Sequence, residues 1–329
     1  MENDAVREAA TGVPLSLRVS VTDRCRFRCV FCTPAEGVKR FRFAEILRYE
    51  EIARFVALLM AHFRLAKVHL TGGEPLDRPE VVKLVRMLAG LGVEDLALTT
   101  NGQRLREFAG DLKGAGLRRV NVSLNTLQAE TFRGLTGGGE LQRTLDGLEA
   151  ALSAGLAPVK CNATVLRGIN DGEVVDLVRF GAARGVETRF IELMPIGPAA
   201  KRHADWFVSS DEVLERLRGR FDLRPLPRRR GSSTQEYEVA DAGGNTGLVG
   251  VISSYTRPFC GDCRRLRLTA SGQLVGCLAR DSRVDVLPLL RAAGPLDEAA
   301  LLAKVRAVMR LKRTHHAFSN AQSMVQTGG

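Results

Sequence analysis

The sequence predicts an α/β fold built on a largely parallel sheet. Three observations lead to this prediction. Short apolar, β-branched runs alternate with segments of helical period, helix N-terminal signals separate them, and polar residues follow the ends of several runs. Such alternation is typical of a parallel sheet, which either curls into a partial barrel or stays open and doubly wound. Both arrangements place functional residues at the carboxyl ends of the strands.

Six strands and four helices are predicted in the first two thirds of the chain. The strands are expected at residues 17–21, 67–73, 95–102, 118–125, 158–165 and 188–193. The helices are expected at residues 49–63, 79–91, 141–154 and 171–183. We interpret this region as a partial six-fold (β/α) barrel of the TIM type, covering residues 1–228.

The remaining residues, 229–329, predict a smaller C-terminal α+β region. The proline- and arginine-rich segment 224–233 indicates a linker or an exposed hairpin between the two regions. A further strand is expected at residues 247–252, and a hairpin at residues 264–278 with its turn at 270–273.

Composition limits the class of protein. No run approaches the roughly 18 uninterrupted apolar residues that a membrane span needs, so we expect a soluble, cytoplasmic protein with no membrane partner. The net charge of +11 is spread along the chain without a long basic block or an aromatic-rich RNA motif. This pattern favours a small anionic partner, such as a phosphorylated molecule, over nucleic acid.

Three cysteines, Cys25, Cys29 and Cys32, follow the first strand at a C-x3-C-x2-C spacing. In a reducing compartment, clustered thiols favour metal binding over disulfides. A closed structural zinc site needs four ligands, whereas a four-iron cluster held by three thiolates keeps one iron open for another ligand. A buried cysteine stripe is the alternative, but charged residues at 24, 26 and 28 interleave with the thiols.

A second set, Cys260, Cys263 and Cys277, repeats the count of three. The alternative here is a zinc ribbon completed by His315 or His316. The seventh cysteine, Cys161, lies inside the fifth predicted strand and is expected to be a core thiol.

These motifs resemble the radical S-adenosylmethionine (SAM) superfamily. The resemblance rests on the first cysteine set and on "TGGEP" at 71–75. The segments "LTTNG", "RFIELMP", "FCGDCRRLRLTASG" and the final "GG" narrow it to the GTP 3',8-cyclase family of molybdenum cofactor biosynthesis, in order from residue 18 to residue 329.

The resemblance implies two 4Fe-4S clusters, held by Cys25, Cys29 and Cys32 and by Cys260, Cys263 and Cys277. It implies that SAM, chelated by the open iron of the first cluster, splits into methionine and a 5'-deoxyadenosyl radical. That radical would take the ribose 3' hydrogen of GTP and start cyclisation to (8S)-3',8-cyclo-7,8-dihydroguanosine 5'-triphosphate. The second cluster would hold the guanine ring, and the tail Gly328-Gly329 would reach toward the active site.

The resemblance also implies individual binding residues. The SAM site would comprise Phe31, Gly73, Glu74, Asn101, Ser123 and Met194. The GTP site would comprise Arg18, His69, Thr100, Lys160, Arg189, Arg265, Leu266 and Arg267. Independently, Gly72 and Gly73 allow a ligand close to the backbone, and Arg265 and Arg267 lie two apart on a strand and so share a face.

Four positions depart from the family pattern. They are Phe31 for Tyr, His69 for Arg, Asn125 for Asp and Arg264 for Asn. A neutral His69 is expected to weaken one phosphate contact, and Lys67 is expected on the other face of its strand, where it does not substitute.

The family further implies a homodimer, an electron donor such as flavodoxin or ferredoxin, and transfer of the product to the next pathway enzyme, cyclic pyranopterin monophosphate synthase. Two alternatives remain open. One is a related radical SAM enzyme that acts on a different nucleotide or a peptide, and the other is a zinc-dependent nucleic-acid-binding protein.

Overall fold

The computed structural model describes residues 14–280, 283–312, 318 and 324. The predicted tail residues Gly328 and Gly329, and the two histidines at 315 and 316, lie outside the described residues.

Twelve strands form one sheet in the described part of the chain. They are β1 (Leu15–Ser20), β2 (Leu65–Thr71), β3 (Leu96–Thr100), β4 (Arg119–Ser123), β5 (Val159–Thr164), β6 (Glu187–Ile191), β7 (Phe221–Pro225), β8 (Gln235–Asp241), β9 (Thr246–Ile252), β10 (Arg265–Leu268), β11 (Gln273–Val275) and β12 (Arg283–Asp285).

Ten α-helices accompany the sheet within the described residues. They are α1 (Tyr49–His62), α2 (Val81–Gly90), α3 (Leu105–Gly114), α4 (Ala129–Thr136), α5 (Leu141–Ser153), α6 (Val174–Ala182), α7 (Ala199–Trp206), α8 (Ser210–Arg218), α9 (Leu287–Arg291) and α10 (Glu298–Arg310). In the part of the chain that the structure describes, no helix is long and apolar enough to cross a membrane.

Strands β1 to β6 lie side by side in chain order and run parallel. The C-terminal strands extend both edges of this sheet. β9 pairs in parallel with β6, and β8 and β7 follow it antiparallel. β10 pairs in parallel with β1, and β11 and β12 follow it antiparallel. The connection between β9 and β10, residues 253–264, therefore runs from one edge of the parallel sheet to the other.

The sheet is strongly curled. In a flat sheet, β1 and β6 would lie about 24 Å apart at the usual strand spacing, yet the charge of Arg189 on β6 acts on Arg18 on β1. Arg265 on β10 donates a hydrogen bond of 3.1 Å to the hydroxyl of Ser233, just before β8. These contacts bring the two edges together, so the partial barrel is confirmed and the open doubly wound sheet is excluded.

Side-chain alternation gives the curled sheet an apolar outer face and a polar inner face. On β1, Leu15, Leu17 and Val19 are fully buried in the core that packs against the helices. Arg18 lies between them on the opposite face, in register with His69 on β2 and Arg267 on β10. Because successive residues of a strand alternate between faces, the polar residues of neighbouring strands meet inside the barrel.

The predicted elements agree with the observed ones to within two residues for the six barrel strands and for three of the four helices. The fourth predicted helix begins as a short 3-10 turn, Asp171–Glu173, and continues as α6. The other helices were not predicted from the sequence. The segment 224–233 lies in the antiparallel hairpin of β7 and β8, and the predicted hairpin at 264–278 is formed by β10 and β11.

The turn after β2 packs directly against the loop after β1. The backbone N–H of Gly73 donates to the carbonyl of Thr22 at 2.7 Å, and that of Glu74 donates to the carbonyl of Arg24 at 2.7 Å. A Cβ atom at Gly73 would lie 2.1 Å from the Arg24 carbonyl oxygen. Only glycine therefore allows the two loops to approach this closely.

Gly73→Ala is expected to destabilise the protein by about 2 kcal/mol or more, because the new methyl group meets backbone that cannot move aside cheaply. Gly110→Ala is the matched control. Gly110 is exposed within α3, and a methyl group added there would meet no atom within 4 Å, so alanine should stabilise the helix by about 0.5–1 kcal/mol. Urea unfolding of both variants measures the difference, and equal effects would contradict the close approach.

Candidate active site

The first cysteine set lies in the loop between β1 and α1. Its backbone is held on α4, since the N–H groups of Arg28 and Val30 donate to the carbonyls of Thr136 and Leu135 at 2.8 and 3.0 Å. The ring of Phe27 packs edge-on against Phe132 on the same helix, with 5.9 Å between ring centroids. The loop is therefore fixed to the barrel from both sides of its central cysteine.

The three thiols of this loop lie close enough to influence each other. Burial raises the pKa of Cys25 to about 12, and the Glu74 carboxylate and Cys32 add to the effect. Burial also raises the pKa of Cys29 well above its ordinary value, with Cys32 and Cys25 as further causes. Thiols that resist ionisation in this way need a bound cation to become thiolate ligands.

No group of three Cys, His, Asp or Glu side chains among the described residues already has the spacing of a metal site. The donor chemistry nevertheless fits an iron-sulfur cluster, because three half-buried thiols on one loop are the ligands that such clusters use. A structural zinc ion would need a fourth donor from outside this loop.

Glu74 lies beside this loop, and its carboxylate is held by three hydrogen bonds. Its oxygens accept hydrogen bonds from the Thr100 hydroxyl at 2.8 Å, the Asn101 N–H at 2.7 Å and the Leu76 N–H at 3.0 Å. Burial nevertheless raises its pKa to about 7. The carboxyl group is thus held in place at the carboxyl ends of β2 and β3.

The other predicted SAM residues also lie at the carboxyl ends of the barrel strands or in the cysteine loop. Ser123 ends β4, Asn101 follows β3 and Met194 follows β6. Phe31 packs on a small apolar cluster that contains Leu193, the neighbour of Met194. Within the set, the Asn101 N–H donates a hydrogen bond to Glu74. All six SAM assignments stay predictions.

The inner face of β1, β2 and β10 carries a concentration of positive charge. Burial lowers the pKa of Arg18 well below its usual range, and Arg265 and Arg267 lower it further. Burial and Arg265 lower the pKa of Arg267 to about 9. The Arg18 side chain makes no hydrogen bond or ion pair within the described residues, so its charge is available to an anionic ligand.

His69 lies among these cations and accepts or donates a 2.7 Å hydrogen bond with the Thr99 hydroxyl. Burial lowers its pKa well below the ordinary value, and Arg18 and Arg119 lower it further. The ring is therefore neutral, as expected from the sequence. The prediction for Lys67 was wrong. Lys67 and His69 are two residues apart, lie on the same face of β2, and interact electrostatically.

Lys160 and Arg189, predicted to bind GTP, are engaged by two carboxylates that sequence reasoning missed. The Lys160 ammonium lies 2.5 Å from Glu187 and 3.8 Å from Glu236. Arg189 contacts the same Glu187 at 2.5 Å and Glu236 at 3.1 Å. Strand alternation from Arg189 would have placed Glu187 on the same face, whereas Glu236 on β8 carried no such signal.

Two further predicted GTP residues do not point into the cationic region. Thr100 donates its hydroxyl to Glu74. The Leu266 side chain is fully buried on the face opposite to Arg265 and Arg267, so only its backbone is available to a ligand from inside the barrel.

The second cysteine set lies beside β10, with Cys260 and Cys263 on the connection that spans the two sheet edges. Burial raises the pKa of Cys260 to about 11, and Cys277 and Cys263 add to it, which places the three thiols near one another. The Lys312 ammonium lies 3.6 Å from the Cys263 sulfur and donates to the Gly276 carbonyl at 2.6 Å. Sequence reasoning missed Lys312, because a single lysine after a helix carries no signal.

Cys161 is confirmed as a core thiol. It is 1% exposed on the outer face of β5, and burial raises its pKa to about 12.

In protein without bound ligands, Glu74→Gln is expected to gain stability relative to the wild type as the pH rises. The folded state raises the pKa of Glu74 from 4.5 to about 7, so the wild type is most stable below the lower value and loses stability up to the higher one. A neutral amide avoids this loss. The difference in unfolding free energy should grow by about 1–3 kcal/mol between about pH 5 and pH 8.

Urea unfolding at both pH values measures this effect. Glu107→Gln, a change at an exposed position of α3, is the control and should show no comparable trend. Identical pH dependence of wild type and Glu74→Gln would mean that burial does not oppose ionisation of Glu74.

Both parts of the chain match known sequence families. The Radical SAM superfamily matches residues 19–181, and the family described as Molybdenum Cofactor Synthesis C matches residues 186–318. A relative from Geobacter sulfurreducens, named GTP 3',8-cyclase, is 39% identical over 324 residues, 95% of this chain and 96% of the relative. A relative of the same name from Pelotomaculum thermopropionicum is 43% identical over 322 residues, 95% of this chain and 97% of the relative.

Among solved structures, Streptococcus suis SuiB bound to S-adenosylmethionine matches with a TM-score of 0.58 at 13% identity. The match covers 90% of this chain and 70% of SuiB, and it supports the fold. The two relatives match nearly the full length of the chain, and both belong to one family of this superfamily. The chain belongs to the GTP 3',8-cyclase family of the radical SAM superfamily.

Proposed function

We propose that this protein converts GTP to its 3',8-cyclic product in molybdenum cofactor biosynthesis, using SAM and two 4Fe-4S clusters. The observation that carries the proposal is the pair of three-cysteine sets: the first lies beside Glu74, and the second lies beside the cationic side chains of Arg265 and Arg267. Cys25, Cys29 and Cys32 would hold the first cluster, and Cys260, Cys263 and Cys277 the second. When bound and reduced, the first cluster supplies the electron that starts radical chemistry from SAM.

The residues around the first set are suited to hold SAM. The absence of a side chain at Gly73 lets the turn that carries Glu74 pack directly against the start of the cysteine loop, so Glu74 lies beside the first set. Glu74 is fixed by three hydrogen bonds, so it offers a positioned acceptor for the amino group of the ligand.

The interior favours a nucleoside triphosphate over a peptide as substrate. Arg18, Arg265 and Arg267 lie on adjacent strands at adjacent register positions, so their guanidinium groups share one region. Arg267 is buried, Arg18 and Arg265 are half-buried, and an anion of high charge would offset the repulsion between them. A triphosphate supplies that charge, whereas a peptide backbone does not.

Lys160 and Arg189 would contribute to GTP binding by replacing their carboxylate partners with phosphate groups. In the free protein, Glu187 and Glu236 neutralise them. An incoming phosphate would compete with these carboxylates for the same donors, so the two acids would limit binding of weaker anions and favour a highly charged one.

The finer assignments remain part of the proposal. We propose the division of the chain into residues 1–228, which carry the first cluster, and residues 229–329, which carry the second. A homodimer, a flavodoxin or ferredoxin donor, transfer to cyclic pyranopterin monophosphate synthase and a cytoplasmic location are inferred from the family. A reducing compartment would keep the clustered thiols available to iron.

Anaerobic reconstitution tests the function directly. The wild type should bind roughly eight irons per chain, and incubation with GTP, SAM and a reductant should yield 5'-deoxyadenosine and a cyclised guanine product. Cys277→Ala should still produce 5'-deoxyadenosine but no cyclic product. Deoxyadenosine without a GTP-derived product from the wild type would contradict the substrate assignment, and zinc without iron would contradict the radical chemistry.

Arg18→Gln is expected to stabilise the free protein and to weaken GTP binding. The substitution removes a buried charge that neighbouring arginines oppose, and it also removes a phosphate contact worth about 1.5–3 kcal/mol, or roughly tenfold or more in Kd. Thermal unfolding and calorimetric titration of the cluster-loaded enzyme measure the two effects.

The control is Arg106→Gln, at an arginine that is 74% exposed on α3 and contacts Asp146. It should change neither the melting temperature nor the GTP affinity appreciably. A parallel loss of stability and affinity in Arg18→Gln would show that Arg18 supports the fold instead of the substrate.

A further inference from the structure

Exposed arginines alternate with the residues of the first cysteine set. Cys25, Phe27 and Cys29 pack toward the core, whereas the side chains at positions 24, 26 and 28 are exposed. Cys25 and Cys29 are therefore each directly adjacent in sequence to arginines that face solvent. The solvent-exposed side of the first cysteine loop is therefore formed largely by arginine side chains.

A second segment adds to this surface. The N–H of Phe41 donates to the Asp23 carboxylate at 2.7 Å, and the Arg40 guanidinium donates to the Asp23 carbonyl. These bonds fix residues 39–43 beside the start of the cysteine loop. The segment exposes further cations and Phe43, whose side chain is 84% exposed. We define the arginine patch as Arg24, Arg26, Arg28, Lys39, Arg40, Arg42 and Phe43.

The patch keeps a net positive charge after its own acids are counted. Arg26 lies 3.1 Å from Asp77, and Arg42 lies 3.2 Å from Glu45. Glu36 is a further acid of this region and is exposed, and the buried Asp23 is the fourth. Six cations face four carboxylates, and the side chains of Arg24 and Arg28 make no ion pair or hydrogen bond within the described residues.

Neither the fold nor the substrate explains these charges. The unpartnered guanidinium groups of Arg24 and Arg28 add no contact that would stabilise the loop. The proposed triphosphate site lies inside the barrel, on the inner face of β1 and β10, whereas the patch faces solvent. Exposed Phe43 adds an apolar side chain where a monomer gains nothing from one.

We propose that the arginine patch is the docking surface for a small acidic protein that carries one electron. This inference rests on the proposed function, because only a cluster at Cys25, Cys29 and Cys32 needs an external electron. In the transfer, the reduced carrier loses one electron and the oxidised cluster gains it, and no bond forms or breaks. A carrier on the patch would contact residues that are directly adjacent in sequence to Cys25 and Cys29, two of the thiols that would hold the cluster.

The patch has the properties of a transient electron-transfer interface. Such interfaces are small and rely on complementary charge to speed encounter, so affinity stays low enough for the carrier to leave. Phe43 would provide the apolar anchor that such a contact uses at its centre. The acidic partner is favoured over a nucleic acid because the patch adjoins the redox site.

The test measures cluster reduction by stopped-flow absorbance in the reconstituted enzyme, without GTP. Reduced flavodoxin and dithionite are compared as donors. The Arg24→Glu, Arg28→Glu double variant should slow reduction by flavodoxin by about tenfold or more at low salt, and raising the salt should shrink the difference. Reduction by dithionite, which needs no docking, should keep the wild-type rate.

The matched control is Arg218→Glu, Arg220→Glu, which reverses two exposed arginines next to β7, at the far edge of the sheet. This control should leave both reduction rates unchanged. Phe43→Ser should slow reduction by flavodoxin but not reduction by dithionite. If Arg24→Glu, Arg28→Glu binds less iron than the wild type, Lys39→Glu, Arg42→Glu carries the test, since it lies outside the cysteine loop.

Equal flavodoxin rates for wild type and patch variants would overturn the inference, as would an equal loss in the control. Binding of a single-stranded oligonucleotide that reversal abolishes, with unchanged flavodoxin rates, would overturn it in favour of nucleic acid. Failure of the proposed function is distinguishable. An enzyme that flavodoxin reduces through the patch but that forms no cyclic product retains the docking surface and loses the substrate assignment.

Discussion

Positive charge enclosed by the curled sheet is the constraint on which the rest of the structure depends. Arg18, Arg265 and Arg267 are held on adjacent strands. Burial lowers their pKa values, with further lowering by Arg265 and Arg267 at Arg18, by Arg189 at Arg265 and by Arg265 at Arg267. The apolar outer face of the same strands compensates this cost, because its leucines and valines are fully buried against the helices. In the free protein these side chains therefore carry an electrostatic cost that an anionic ligand would reduce.

The connection between the two edges of the sheet links this interior to the second cysteine set. Glu192, at the end of β6, accepts hydrogen bonds from the backbone of Ser210, Tyr255 and Thr256 at 2.8, 2.8 and 2.9 Å. It thereby fixes the start of the connection that carries Cys260 and Cys263. Asp262 is held in turn by Arg228 and by the Gly231 N–H. The connection that carries Cys260 and Cys263 is therefore held by the β6 and β7–β8 side of the sheet, whereas Cys277 follows β11 on the other side.

Sequence patterns predicted the parts of the site that depend on local spacing. The cysteine sets, the glycines before Glu74 and the shared face of Arg265 and Arg267 follow from short-range periodicity. The pairing of Lys160 and Arg189 with Glu236 could not be predicted from such patterns, because Glu236 lies on a strand that is distant in sequence. Lys312 was missed because a single lysine after a helix carries no signal. Lys67 was assigned to the wrong face although alternation alone would have placed it correctly.

The sequence by itself determined which residues offer clustered thiols, which offer cationic side chains on one strand face, and the β-α alternation that forms a parallel sheet. Only the tertiary structure decided how the last hundred residues join that sheet. β9 adds to one edge and β10 to the other, and no local pattern specifies a pairing between strands so far apart in sequence. The physical reason is that backbone hydrogen bonds at a sheet edge accept any strand, so burial and curvature of the whole barrel select the partner.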